Sequence, residues 1–144
     1  MDKTRKNRYL DKISNLKKYY NLVNEWFKES DLDNLIKTDN YKQVFAIYHA
    51  AQLSIETISD LCVMIVKDLN FNPKDNYINF EILQGENIIS DKLFLALKEL
   101  NGLRNRIVHD YNGFIDEIAW QSISNHLFHL DEFRKVVELW LQKQ

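Results

Sequence analysis

The chain has few of the residues that interrupt helices. Its 144 residues include three glycines and one proline. A β-sandwich with many turns needs more of both, so long uninterrupted helices are expected. The single cysteine, Cys62, cannot form an intrachain disulfide. Its apolar neighbours mark it as a buried, inert thiol, as suits a reducing cytoplasm. A basic excess is also missing. The net charge is −2, so any RNA contact must come from a local cluster or an assembled cleft. No apolar run approaches the roughly 20 residues that span a bilayer. The charged N-terminus lacks the apolar core of a secretory signal. A cytoplasmic protein without membrane contact is expected.

What the chain has is ordinary for a folded domain: 45% hydrophobic and 28% charged residues, enough for one core. The spacing of apolar residues predicts five helices. The first runs from about Thr4 to Lys28, with Leu10, Ile13, Leu16, Tyr20, Val23 and Phe27 on one stripe. Its basic run (Lys3, Arg5, Lys6, Arg8, Lys12) reads as a solvated first turn, with a nucleic-acid arm as the alternative. The polar stretch Glu29 to Asn40 reads as a loop or a broken helix end, with Thr38 or Asp39 as a cap for the next helix. That second helix carries Val44, Tyr48, Ala51, Ile55, Ile58, Cys62, Ile65 and Leu69 in alternating steps of four and three. This is a sustained packing seam, and Pro73 stands just past it.

A short third helix is expected over Asn76 to Gln84, closed by Gly85. A fourth starts behind the cap Ser90, carries Leu93, Leu97 and Leu100, and reaches about His109. Asn112-Gly113 supplies a stop. Asp116 starts the last helix, with Ile123, Leu127, Leu130, Val137 and Trp140 inward. The prediction is one all-α domain over residues 1–144: an antiparallel bundle of four long helices plus a short one.

The segment Arg104-Asn105-Arg106-Ile107-Val108-His109-Asp110-Tyr111 gathers a cation, an amide, an imidazole and a phenol within about two helical turns. Arginine can grip a phosphate with a planar fork. Histidine moves protons near neutral pH. Together they suit phosphodiester cleavage without a metal. On a helix, Asn105 and His109 are i,i+4 neighbours, so the amide can orient the imidazole. Tyr111 joins such a site only if the helix ends near His109. The plain structural reading is a helix C-terminus with a dipole-favoured histidine.

The stretch Gly102-Leu103-Arg104-Asn105-Arg106-Ile107-Val108-His109-Asp110-Tyr111 closely resembles the signature of HepT-like proteins of the HEPN superfamily. Tyr48-His49-Ala50-Ala51-Gln52-Leu53-Ser54-Ile55-Glu56, with Asp60 one turn on, is similar to the family's second helix. Asn76 to Leu83 and Ile88-Ile89-Ser90 also match in pattern, so the likeness covers about Tyr41 to Tyr111. The resemblance implies a helical homodimer with the motif helices lining one cleft. It implies a ribonuclease toxin whose partner is an MNT-type nucleotidyltransferase antitoxin. It gives Arg104 and His109 the catalytic roles, Asn105 the task of orienting them, and Tyr111 that of adenylylation acceptor. The rival is a non-catalytic HEPN module that binds a nucleotide or a protein.

Arg106 departs from the apolar or small residue frequent at its position. It is either a second phosphate ligand or a surface residue. Glu56 and Asp60, an i,i+4 pair, are too few for a hard cation. They read as a solvated edge or as partners of Arg104 or Arg106. His49 reads as a core-edge histidine. His126 and His129 lack a third ligand for zinc. No metal or other cofactor is expected.

Overall fold

Every helix begins at a residue that can cap it. The computed structural model describes residues 1–109 and 116–144. Among the described residues there are six helices: α1 (Lys3–Lys28), α2 (Leu32–Lys37), α3 (Tyr41–Asp68), α4 (Asn76–Gly85), α5 (Asp91–His109) and α6 (Glu117–Gln142). Their first turns take side-chain oxygens from Asp2, Asp31, Asn40, Asp75, Ser90 and Asp116. Each such cap satisfies amide groups that the helix itself leaves without acceptors.

Three helix ends explain how so little glycine suffices. Asp39, Asn70 and Asn87 have φ of 52°, 65° and 55°. The residue after each donates its N–H back to the last turn of the helix: Asn40 to Leu35, Phe71 to Val66 and Ile88 to Leu83, at 2.8–3.0 Å. These are Schellman-type ends, with Asn or Asp in the left-handed position that glycine usually fills. Gly85, expected to close the third predicted helix, is instead the last helical residue of α4, and Asn87 makes the turn.

The stretch 29–40 differs from its reading as a loop or a broken helix end. It holds α2, capped by Asp31, whose Leu32 and Leu35 are buried. Two apolar residues three apart suffice for one buried face, and the polar residues around them hid it. Thr38 and Asp39 do not cap α3. Thr38 bonds back to the Asn34 carbonyl at 2.8 Å, Asp39 makes the left-handed turn, and Asn40 becomes the cap.

The four long helices form an up-down-up-down bundle. Arg5 meets Asp68 and Lys12 meets Asp60, so α1 and α3 run antiparallel. Tyr9 packs on Trp140 and Phe27 on Trp120, which makes α1 and α6 antiparallel. α3 touches every other helix. Its predicted seam is buried from Val44 to Ile65, and Ile47, Ala50, Leu61 and Val66 extend that burial. The hydroxyls of Ser54 and Thr57, on the same buried arc, bond back to Ala50 and Leu53. Cys62 is buried, and burial pushes its thiol up, away from reactivity.

On α1 the inward residue is Tyr9 rather than the predicted Leu10, which is 48% exposed. Tyr9 can be fully buried because its hydroxyl donates to Asp68 at 2.6 Å. His49 is exposed, contrary to the core-edge reading, because the buried arc of α3 passes through Tyr48 and Ala51.

Two outcomes test these features. Asn70→Val, which forces a β-branched residue to φ 65°, should destabilise by about 1–2 kcal/mol in urea unfolding. Asn70→Gly should be neutral or stabilising. The second concerns His126. Burial, then the neighbouring His129, hold its imidazole below the usual 6.5, with Glu99 acting the other way. Among the described residues its buried Nδ1 has no hydrogen-bond partner. A depressed folded pKa means the unfolded chain takes up the proton first as pH falls. Stability from this group is full above 6.5 and is lost below it. Thermal midpoints measured from about pH 7.5 to about 5.5 should therefore fall less in His126→Gln than in the wild type.

Candidate functional site

The last two turns of α5 carry the motif. Arg104 leaves the helix toward α3, where its Nε and Nη2 donate to Glu56 Oε1 at 3.2 and 3.1 Å. Gln52, one turn before Glu56, donates to the same oxygen at 3.2 Å. Arg104 Nη1 donates to Asn105 Oδ1 at 3.3 Å. The arginine and Glu56 side chains are 33% and 38% exposed. The guanidinium is therefore held by two neighbours yet open to solvent. A guanidinium has five N–H groups. Among the described residues, three have acceptors, leaving one N–H on each terminal nitrogen.

His109 is the last residue of α5 and is exposed. It stands five residues beyond Arg104, about 7.5 Å along the axis and about 140° around it. It belongs to a row of its own. Leu95, Gly102 and His109 recur every seven residues and are all exposed. Gly102 is about 160° from buried Leu100, so this row points away from the bundle core. Nothing lies within 4 Å of where a side chain on Gly102 would begin.

Arg106 goes elsewhere. Its Nε donates to Asp116 Oδ2 at 2.5 Å. Asp116 is the only buried acid among the described residues, its side chain 5% exposed against 25% for Arg106. Its other oxygen accepts the N–H groups of Ile118 and Ala119 at 3.0 and 3.1 Å, capping α6. Its carbonyl accepts from the Tyr48 hydroxyl at 3.0 Å. Burial pushes the Tyr48 phenol up to about 12, so it stays protonated and donating at neutral pH. One residue thus joins α3, α5 and α6.

The structure brings Arg104, Asn105 and Glu56 together and sets His109 one turn further on. It sends Arg106 to Asp116, neither outward nor to the α3 acids. Asp60 pairs with Lys12 rather than with an α5 arginine. Tyr111 and the stop at Asn112-Gly113 lie outside the described residues. The sequence marks Asp116 only as a helix start and gives Gln52 no task; only three-dimensional contact reveals both roles. His126 and His129 have ring centroids 5.6 Å apart, and His129 Nδ1 lies 2.7 Å from Glu132. Among the described residues no three His, Cys, Asp or Glu side chains gather to hold a metal, and no helix is long and apolar enough to cross a membrane.

Comparison with known proteins bears directly on this arrangement. A family model described as "Ribonuclease HepT-like" matches residues 10–137. A protein of Archaeoglobus fulgidus with the provisional name RNase is 34% identical over 141 residues, covering 96% of this chain and 97% of its own. The mRNA nuclease HepT of Shewanella oneidensis is 27% identical over 103 residues, covering 68% and 77%. Among solved structures, a tri-AMPylated HEPN toxin of Shewanella oneidensis in complex with an MNT antitoxin superposes with a TM-score of 0.79. Its identity is 22%, over 96% of this chain and 99% of that one. A toxin–antitoxin structure with AMP-PNP gives 0.77 at 22% identity, over 95% and 99%. At such identities the structural likenesses establish the fold, an all-α HEPN bundle. The family follows from the sequence: with the match running over residues 10–137 and a relative similar along nearly its whole length, the chain belongs to the HepT-like ribonuclease family.

Proposed function

We propose that the protein is a metal-independent ribonuclease toxin, built around Arg104 and His109 and neutralised by an MNT-type nucleotidyltransferase antitoxin. The observation that carries this reading is the state of Arg104. Glu56 and Asn105 fix its guanidinium, and among the described residues one N–H on each terminal nitrogen has no acceptor. A non-bridging phosphate oxygen pair suits those two donors.

The chemistry follows from the residues. An RNA 2′-hydroxyl loses its proton to an imidazole, and its oxygen attacks the adjacent phosphorus. The bond to the 5′-oxygen breaks, that oxygen takes a proton from an acid, and a 2′,3′-cyclic phosphate remains. His109 serves as the base or as the acid. Arg104 stabilises the charge that builds on the phosphorane oxygens, and Asn105 keeps the guanidinium turned toward them. DNA lacks the 2′-hydroxyl and resists this route.

One imidazole does not easily serve both sides of an in-line displacement, and a homodimer supplies the second. The outward row Leu95, Gly102 and His109 supports such an assembly. All three are exposed, and open space at Gly102 permits close approach of a second helix. A two-fold axis across this row would bring two copies of His109 toward one cleft.

Arg104→Ala and His109→Ala should each lower RNA cleavage by at least about 100-fold and leave helical content unchanged, since both side chains are solvent-accessible. The assay is gel analysis of a defined RNA with and without EDTA, and wild-type cleavage should persist in the chelator. Unimpaired cleavage by either variant would remove that residue from the chemistry. Mixing the two inactive variants should restore part of the activity if one cleft draws on both subunits.

Regulation gives a separate test. The AMPylated toxin among the structural neighbours supports an acceptor on this chain, and Tyr111 is the residue assigned. An adenylyl group there would add an anion two residues beyond His109 in the chain, the same charge logic by which phosphorylation acts. Co-expression with the cognate nucleotidyltransferase should add an adenylate mass to the peptide containing Tyr111 and abolish toxicity. If Tyr111→Phe gains the same mass and is still neutralised, the acceptor is another residue.

A further inference from the structure

We propose that Arg106 and Asp116 are positioning residues for His109, a clasp that fixes the last turn of α5 by tying it to the start of α6 and to α3. The inference rests on the ribonuclease reading for its kinetic consequence, but the clasp itself is geometric. A lone surface arginine three residues before a helix end would leave that end to fray. Here Arg106 instead meets a carboxylate that is almost completely buried and already fixed by two backbone N–H groups.

The connections around Asp116 are specific. Among the described residues its Oδ1 accepts from Ile118 and Ala119 of α6. Its Oδ2 takes Arg106, one turn before His109. Its carbonyl takes Tyr48 of α3, whose ring packs edge-on against Trp120 of α6. Three helices therefore meet at one residue, and the turn carrying His109 is tied to that point through a single side chain. His109 itself is exposed and faces away from the core, and its turn is held from the inner side by Ile107, packed on the core, and by Arg106. A catalytic imidazole needs its position held to a fraction of an ångström. The clasp supplies this from behind, without Arg106 or Asp116 touching substrate.

The carboxylate does two separable jobs. Asparagine at position 116 can still accept the α6 amides, because Asn and Asp cap about equally well. It removes the charge that holds Arg106. The test therefore compares Arg106→Gln, Arg106→Lys, Asp116→Asn and the double variant Arg106→Gln/Asp116→Asn, all as the full-length protein and all checked by circular dichroism and melting. The first readout is single-substrate RNA cleavage. Both neutral singles should lose at least about 10-fold in kcat with KM within about twofold. Arg106→Lys should recover part of the loss. The double variant should be no worse than the poorer single, as for two residues acting as one unit. A purely structural clasp would lower melting temperature without this split.

The second readout does not need catalysis. The ring resonances of His109 in NMR spectra of the intact protein should shift and broaden in Arg106→Gln, while those of exposed His49 stay in place. If the wild type cleaves no RNA, the ribonuclease reading fails, and the His109 resonances still decide the clasp. Wild-type His109 resonances in Arg106→Gln would overturn it. So would wild-type kcat in a folded Arg106→Gln, or multiplicative losses in the double variant.

Discussion

The burial of α3 is the constraint on which the other elements depend. This helix packs against all five others, and about half of its circumference is inside. Its exposed and half-exposed positions include Phe45, His49, Gln52, Glu56, Asp60 and Lys67, which recur at helical spacing. These six form a strip about 80° wide. Polar groups on the buried arc are satisfied internally, as Ser54 and Thr57 show with their bonds to the preceding turn. Two partner helices reach polar residues along the edge of that arc. α1 docks through Arg5, Tyr9 and Lys12; α5 docks through Arg104. The candidate site lies where α5 meets this edge, so the packing that stabilises the bundle also sets the place of Arg104.

This explains what the sequence makes legible. A helix with one wide buried face repeats its apolar residues every three or four positions, so α3 is readable from Val44 to Leu69 without any structure. The same applies to α5, where Leu93, Leu97 and Leu100 are buried as the pattern predicts. Short elements escape, because one turn of helix leaves too few positions for a period. α2 is such a case, with two buried leucines. Edges escape as well. Tyr9 and Leu10 are both apolar enough to face inward, and the choice is made by Asp68, 59 residues away, which accepts the tyrosine hydroxyl.

The site divides in the same way. Arg104, Asn105 and His109 are legible because their chemistry and their spacing lie on one short segment. The partners that orient them are not, since Glu56 is 48 residues distant and Asp116 is on another helix. Arg106 shows the limit most clearly. From sequence it is an extra cation beside a phosphate-binding arginine, open to a second phosphate. In the fold its charge is answered by a buried carboxylate. Two arginines two residues apart point about 160° from each other on a helix, and that angle alone sends one toward α3 and the other toward α6.

The two ion pairs also differ in what they can do. Arg104 and Glu56 are each about a third exposed, and pairs in that setting contribute roughly 0–1 kcal/mol. Under the proposed function, so weak an attraction would not keep a phosphate from Arg104; it would remove rotamer freedom before the phosphate arrived. Arg106 and Asp116 are the opposite case, with the acid almost wholly withdrawn from water. Removing one partner there leaves a charge without compensation, a loss of about 3–5 kcal/mol for buried pairs, reduced here because Arg106 reaches solvent. Under the proposed function the same residue type would serve the motif helix twice: Arg104, lightly held, keeps two donors for an anion, and Arg106, tightly held, anchors the turn that carries His109. A cleft that must accept an anion while keeping an exposed imidazole in place needs one of each.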